Sequence, residues 1–114
     1  MMATSRSYSN RKKAVQFTDN NNHSSYTLRS INAYEKNKVL YINIHIIANA
    51  REGSWMQLGT LENISCSQTD WTCAADKSET SSCSFLVFSN GVLACAYGKA
   101  GDNYNSIVSI PLNG

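Results

Sequence analysis

Val39 to Ala50 reads VLYINIHIIANA, and the spacing of its apolar residues decides the fold class. Leu40, Ile42, Ile44 and Ile46 place branched aliphatics at every second position, with Asn43 and His45 between them. Successive side chains of an extended chain point to opposite faces, so a period of two marks a strand, whereas a helix repeats about every 3.6 residues. Branched side chains also suit the pleated surface. The second face still carries Val39, Tyr41 and Ile47, so this strand is expected to be covered on both sides, by a subunit contact or by a crossing loop.

Working outward, YTLRSINAY (Tyr26–Tyr34) reads as the partner strand, joined to Val39–Ile47 in an antiparallel hairpin through Glu35–Lys38. Before it, AVQFTD (Ala14–Asp19) reads as one short strand and NNNHSS as a loop of turn formers. Residues 1–14 are polar, basic and aperiodic, the pattern of a flexible leader or junction, which leaves 15–114 as one domain. After the hairpin, NAREG makes a turn. SWMQLGTL is a strand with Trp55 and Gln57 on one side and Met56 and Leu58 on the other, ENISCSQT is a polar connection, and DWTCAA is a short strand. DKSETSS reads as a loop. CSFLVFSNGVLACAYG is a hairpin through Asn90 and Gly91, the pair suited to a type I′ turn. KAGDNYN reads as a loop, and SIVSIPL as the last strand, with Pro111 near an edge or a strand end. No segment shows a helical stripe. Short strands with turn signals about every 8–12 residues describe an all-β protein, an antiparallel β-sandwich or jelly roll.

The composition agrees. With 42% hydrophobic and 16% charged residues, one Pro and six Gly, the chain is neither disordered nor a solvated helical protein. The net charge of +2 is scattered apart from Arg11, Lys12 and Lys13, which leaves no electrostatic footprint for nucleic acid. No apolar run approaches the roughly 20 residues of a membrane-spanning helix, so no membrane insertion is expected. The N-terminal MMATSRSYSNRKK lacks the apolar core of a secretory signal. The four cysteines are accordingly read as thiols, although a Cys66–Cys73 or Cys73–Cys83 disulfide stays open if the protein matures outside the cell.

From Tyr26 to Leu112 the order of features resembles the C-terminal receptor-binding or head domains of tailed-phage fibre and baseplate proteins. The shared segment is Trp-x-x-Leu/Ile-Gly-Thr-Leu, matched by Trp55, Leu58, Gly59, Thr60 and Leu61; FSNGV (Phe88–Val92) and the SIPL-like final strand match further along. Where such domains follow Gly-Thr-Leu with a proline and a Gly-Tyr-Arg-Pro-like segment, this chain has ENISCSQTDW. The resemblance implies a homotrimeric β-sandwich head at the virion tail tip, made in the bacterial cytoplasm, that holds a bacterial cell-surface glycan or protein. Two other readings stand beside it: a structural trimerisation or tip module with no ligand of its own, and a secreted lectin-like or cytokine-like jelly roll.

The residues with chemical potential point to binding rather than catalysis. Asp19, Glu35, Glu52, Glu62, Asp70, Asp76, Glu79 and Asp102 fall in loops or at strand ends, with no pair spaced on one element as a glycosidase acid and base. Two histidines and no Gly-x-Ser-x-Gly elbow leave no nucleophile triad, so no enzyme is expected. Cys66, Cys73, Cys83 and Cys95 form no Cys-x-x-Cys knuckle, DKSETSS and GDNYN do not follow a calcium-loop pattern, and no cofactor or metal is expected. Glycan recognition uses an aromatic face for the apolar side of a sugar ring and planar amides or carboxylates for its hydroxyls. Asp70, Trp71, Tyr97, Asp102, Asn103 and Tyr104 are the candidate ligand-binding residues, all at strand ends or in loops that a jelly roll gathers at its ends.

Overall fold

A computed structural model describes residues 11–114. Among the described residues nine strands follow one another: β1 (Lys13–Ala14), β2 (Phe17–Asp19), β3 (Tyr26–Lys36), β4 (Val39–Ala48), β5 (Met56–Leu61), β6 (Thr69–Ala75), β7 (Ser78–Val87), β8 (Val92–Ala96) and β9 (Asn103–Pro111). They form two sheets, one in the order β1-β3-β4-β9 and the other β2-β5-β8-β7-β6, and every pairing is antiparallel. The protein is an all-β two-sheet sandwich, and among the described residues no helix is long and apolar enough to cross a membrane.

The hairpin that the sequence makes clearest organises the first sheet. β3 and β4 pair from Tyr26 opposite Ala48 to Lys36 opposite Val39, and the two-residue turn between them holds Asn37 and Lys38 at φ 53° and 62°. Two successive positive φ values are the type I′ geometry, whose twist matches that of the flanking strands. A register shift at Arg29 restores the alternation, so Tyr26 and Leu28 before it and Ile31 and Ala33 after it face inward together. Leu40, Ile42, Ile44 and Ile46 on β4 are fully buried, and so are Leu58, Phe85 and Leu93 of the facing sheet. Burying side chains of this kind contributes about 1.5–3 kcal/mol each, the main stabilising term in such a core.

Both open sides of the sandwich are closed. On one, the edge strands β6 and β9 approach: Trp71 Nε1 donates to Ser106 Oγ (2.8 Å), Cys73 Sγ donates to the Asn105 carbonyl (3.1 Å) and the Asp76 amide donates to the Asn103 carbonyl (2.9 Å). On the other, the chain crosses from β1 in one sheet to β2 in the other. The Val15 amide donates to the Ala33 carbonyl and the Glu62 amide to the Gln16 carbonyl. Partnering edge backbone groups in this way removes a template for aggregation.

Several local readings change. Ala14–Asp19 is not one strand: Lys13 and Ala14, inside the stretch read as leader, pair with β3, whereas Phe17–Asp19 pair with β5. Residues 1–10 of that stretch lie outside the described residues. Most of DKSETSS is strand, because only Asp76 and Lys77 are needed for the turn and β7 begins at Ser78. Asn103–Asn105 likewise belong to β9 rather than to a loop. ENISCSQT is not simply polar, since Ile64 and Cys66 are buried in the core. The Asn90–Gly91 hairpin is not type I′: only Gly91 has positive φ, at 92°, and the Gly91 amide donates to the Phe88 carbonyl. That is a three-residue loop, a type I turn closed by a left-handed glycine. Trp55 precedes β5 and remains 40% exposed. All four cysteines are free thiols.

Candidate functional site at the loop end

The two-sheet topology sorts the connections by end. The β2–β3, β4–β5 and β8–β9 loops and the tight β6–β7 turn gather at one end, because β3 and β9 start there and β4 and β6 finish there. The β3–β4, β5–β6 and β7–β8 connections lie at the other end, together with Lys13, where the chain enters the fold, and Leu112, where it leaves. Among the described residues, three clefts open at the loop end, with volumes of about 370, 260 and 240 Å³.

Main-chain hydrogen bonds knit these loops into one surface. The Ala48 amide donates to the Asp102 carbonyl, the Gly101 amide to the Ala48 carbonyl, the Asn49 amide to the Ser25 carbonyl and the Tyr97 amide to the Glu52 carbonyl. Side chains reinforce them. Ser25 Oγ donates to Glu52 Oε2 at 2.7 Å and Ser81 Oγ to Asp102 Oδ2 at 2.8 Å. A surface pinned from below in this way meets a ligand with little ordering left to do.

Of the six residues that the sequence singles out, three reach this end as surface groups. Tyr97 is 45% exposed beside a cleft that it shares with Arg51, Ser81, Ser82 and Lys99, and its backbone sits at φ 68°. A left-handed conformation is costly for a bulky residue, and such strain clusters at functional positions. Asp102 and Asn103 line the adjacent cleft with Asp76 and Lys77. The Asn103 side chain also reaches the outer face of the first sheet, where His45 Nε2 donates to its Oδ1 at 3.0 Å.

The other three are elsewhere. Tyr104 is a core residue, fully buried, because β9 begins one residue before it and alternation turns its ring inward. Its hydroxyl pairs with Ser81 Oγ and accepts a hydrogen bond from the Lys99 amide, so it supports the loop end from beneath. Trp71 stacks on Phe85 (5.5 Å between centroids, 12° between planes) and ties the two sheets through Ser106. It stands five residues before Asp76, about 16 Å away along an extended strand. Asp70 is exposed on the outer face of the second sheet, opposite Leu86. Neither shares a cleft with Tyr97 or Asp102.

The third cleft, the largest of these three, was not foreseen. It lies against the β2–β3 loop and is lined by Asp19, His23 and Tyr26, with the Asn21 and Asn22 amides. His23 Nε2 donates to Asp19 Oδ1 (2.7 Å) and Nδ1 donates to the Tyr26 carbonyl (3.1 Å). Both partners can only accept, so the full set of hydrogen bonds is made when both ring nitrogens carry protons, and the site favours the imidazolium. Burial works against the charged ring, but the Asp19 and Tyr26 hydrogen bonds outweigh it and the His23 pKa rises. The Asn21 amide, and then His23, hold the Asp19 carboxyl below its ordinary value. Sequence spacing offered one clue, an Asp and a His four residues apart in an Asn-rich turn; what could not be read was that the turn folds them together.

The loop end therefore presents an exposed tyrosine, the cations of Arg51 and Lys99, the carboxylates of Asp76 and Asp102, and several amides. Among the described residues no three His, Cys, Asp or Glu side chains are grouped as a metal site requires. The chain matches no family model, no curated protein and no solved structure.

Proposed function

We propose that this chain is a non-enzymatic attachment head of a phage or prophage tail fibre or baseplate, a jelly roll that acts as a homotrimer and holds a bacterial surface receptor, a glycan, with its loop end. The observation that carries this reading is polarity: the chain enters the fold at Lys13 and leaves at Leu112 on the end opposite the three clefts. A domain tethered through its entering strand at the tail tip of a virion would hold those clefts outward. The chemistry of the surface supports the ligand class. Tyr97 supplies an aromatic face, and Asp76, Asp102 and Asn103 supply fixed acceptors and an amide for hydroxyls. The histidines support the absence of chemistry, since His23 has both ring nitrogens engaged and His45 is bonded to Asn103.

The test is binding of the labelled full chain to a panel of bacterial surface glycans and to intact cells. We expect a subset of glycans to bind, and Tyr97→Ala to weaken that binding about tenfold, the usual effect of truncating one aromatic contact. Binding to no glycan and no cell type, or binding indifferent to Tyr97→Ala and Asp102→Asn, would sink the reading.

A further inference from the structure

Three of the four thiols share the inner face of the second sheet. Cys73 on β6 and Cys83 on β7 are directly opposed in the ladder, and Cys95 on β8 stands opposite Phe85, two residues along from Cys83. Cys66, the fourth, lies apart at the opposite end, bridging to Leu112.

We propose that Cys73 and Cys83 are a disulfide-forming pair, a modification site at which a small-molecule disulfide locks the edge strand β6 onto β7. Directly opposed residues of an antiparallel ladder have Cα atoms about 4.5–5.5 Å apart, whichever kind of pair they form, and a disulfide tolerates about 4.4–6.8 Å. Cys83 and Cys95 are diagonal neighbours, set farther apart in the ladder than directly opposed residues, so the Cys95 thiol reaches Cys83 as a hydrogen-bond donor while its backbone stands off the spacing of a bridge. Ladder position therefore selects one partner for Cys83 out of two nearby thiols.

Access and nucleophilicity are divided between the two residues. Cys73 is half-buried on an edge strand, and Cys83 is fully buried. Cys73 is thus the sulfur an outside reagent meets. Cys83 has the larger thiolate share: a hydrogen bond from the Cys95 thiol holds its pKa below the ordinary thiol value, whereas burial pushes Cys73 up. In the first exchange the Cys73 sulfur attacks glutathione disulfide, forming a mixed disulfide and releasing one glutathione thiol. In the second, the Cys83 thiolate attacks the Cys73 sulfur and expels the other glutathione as a thiolate. Two protein thiols lose two electrons and two protons, and one glutathione disulfide becomes two glutathione thiols. The bridge needs both side chains to rotate away from their carbonyl partners, Asn105 for Cys73 at 3.1 Å and Ala96 for Cys83 at 3.4 Å, and thiols are weak donors.

The experiment is peptide mapping under non-reducing conditions of the full chain, incubated with glutathione disulfide while its near-ultraviolet circular dichroism confirms the native fold. The expected product has lost two hydrogens and yields a linked peptide containing Cys73 and Cys83. Cys83→Ser is expected to stop at a glutathione adduct on Cys73, and Cys95→Ser to form the same bridge several-fold more slowly. A native chain that gives no bridge, or one that links Cys95 or Cys66 instead, would overturn the proposal on the wild-type chain alone, whether or not the variants fold.

Discussion

At the scale of single residues, the β2–β3 loop rests on the His23 ring, held between Asp19 and the Tyr26 carbonyl. His23 has a folded-state pKa above its unfolded value of about 6.5, so its contribution is complete below that pH and is lost as pH rises through the folded-state pKa. Asp19 has a depressed pKa, so its contribution is present above about 3.9 and is lost as pH falls through its lower folded-state value. Stability of the loop should therefore be highest between about pH 3.9 and 6.5 and decline as pH rises through the raised His23 pKa, as followed by urea midpoints across a pH series. In Asp19→Asn an NMR titration should place the His23 pKa lower than in the parent chain. An unchanged value would show that the carboxylate does not hold the ring. Glycine has a residue-scale part as well. A Cβ on Gly59 would meet the Thr18 carbonyl oxygen at 2.2 Å, so the Gly in the Gly-Thr-Leu segment is what lets β2 lie against β5.

At the scale of elements, the strands differ in how plainly residues announced them. β4 was legible because four aliphatics alternate without a break, and β3 because it is long and rich in β-branched and aromatic residues. The start of β7 was not, because Ser and Thr favour turns locally and only pairing with β6 draws them into a ladder. Asn103–Asn105 went the same way: β4 supplies the partners, with Ile47 opposite Asn103 and Ile46 opposite Tyr104. That one shift moved Tyr104 from the expected surface to the core and left Tyr97, with Trp55 of the β4–β5 loop, as the exposed aromatics at the loop end. The β3–β4 turn is locally imperfect, since Lys38 occupies a left-handed position that suits glycine. Lys38→Gly should stabilise the chain by about 0.5–1 kcal/mol, the relief of strain being partly offset by a more flexible unfolded chain. A higher urea midpoint with unchanged slope would show it; a lower midpoint would mean that Lys38 is not strained.

At the scale of the whole molecule, the outer face of the first sheet is the surface to test for the proposed trimer. Ile107 is 80% exposed on β9, opposite Asn43, and the half-buried Val39, Tyr41 and Ile47 share its face. Tyr41 stacks on Tyr34 with centroids 4.9 Å apart, and Lys12 lies over the Tyr34 ring. Light scattering after size exclusion should give about three times the 12.6 kDa chain mass across a dilution series, and Ile107→Glu should shift dissociation to at least tenfold higher concentration with an unchanged circular dichroism spectrum. A monomer at high concentration would remove the trimer from the proposed function, and a trimer indifferent to Ile107→Glu would place its contact on another face.

The amino-acid sequence by itself determined the strand content, the β3–β4 hairpin and the core face of β4, because these follow from a two-residue period and from turn chemistry that act over a few neighbours. It also put Tyr97, Asp102 and Asn103 at strand ends or in loops; that they share one end of the sandwich follows from the strand pairing. Only the tertiary structure decided that His23 is held between Asp19 and Tyr26, that Trp71 binds sheet to sheet through Ser106, and that Cys73 opposes Cys83. Each of the last two joins positions brought together by strand pairing or sheet packing, and the first depends on how a short loop closes. Local periodicity carries no information about such closures, which are chosen when the sheets collapse and bury their apolar faces against each other.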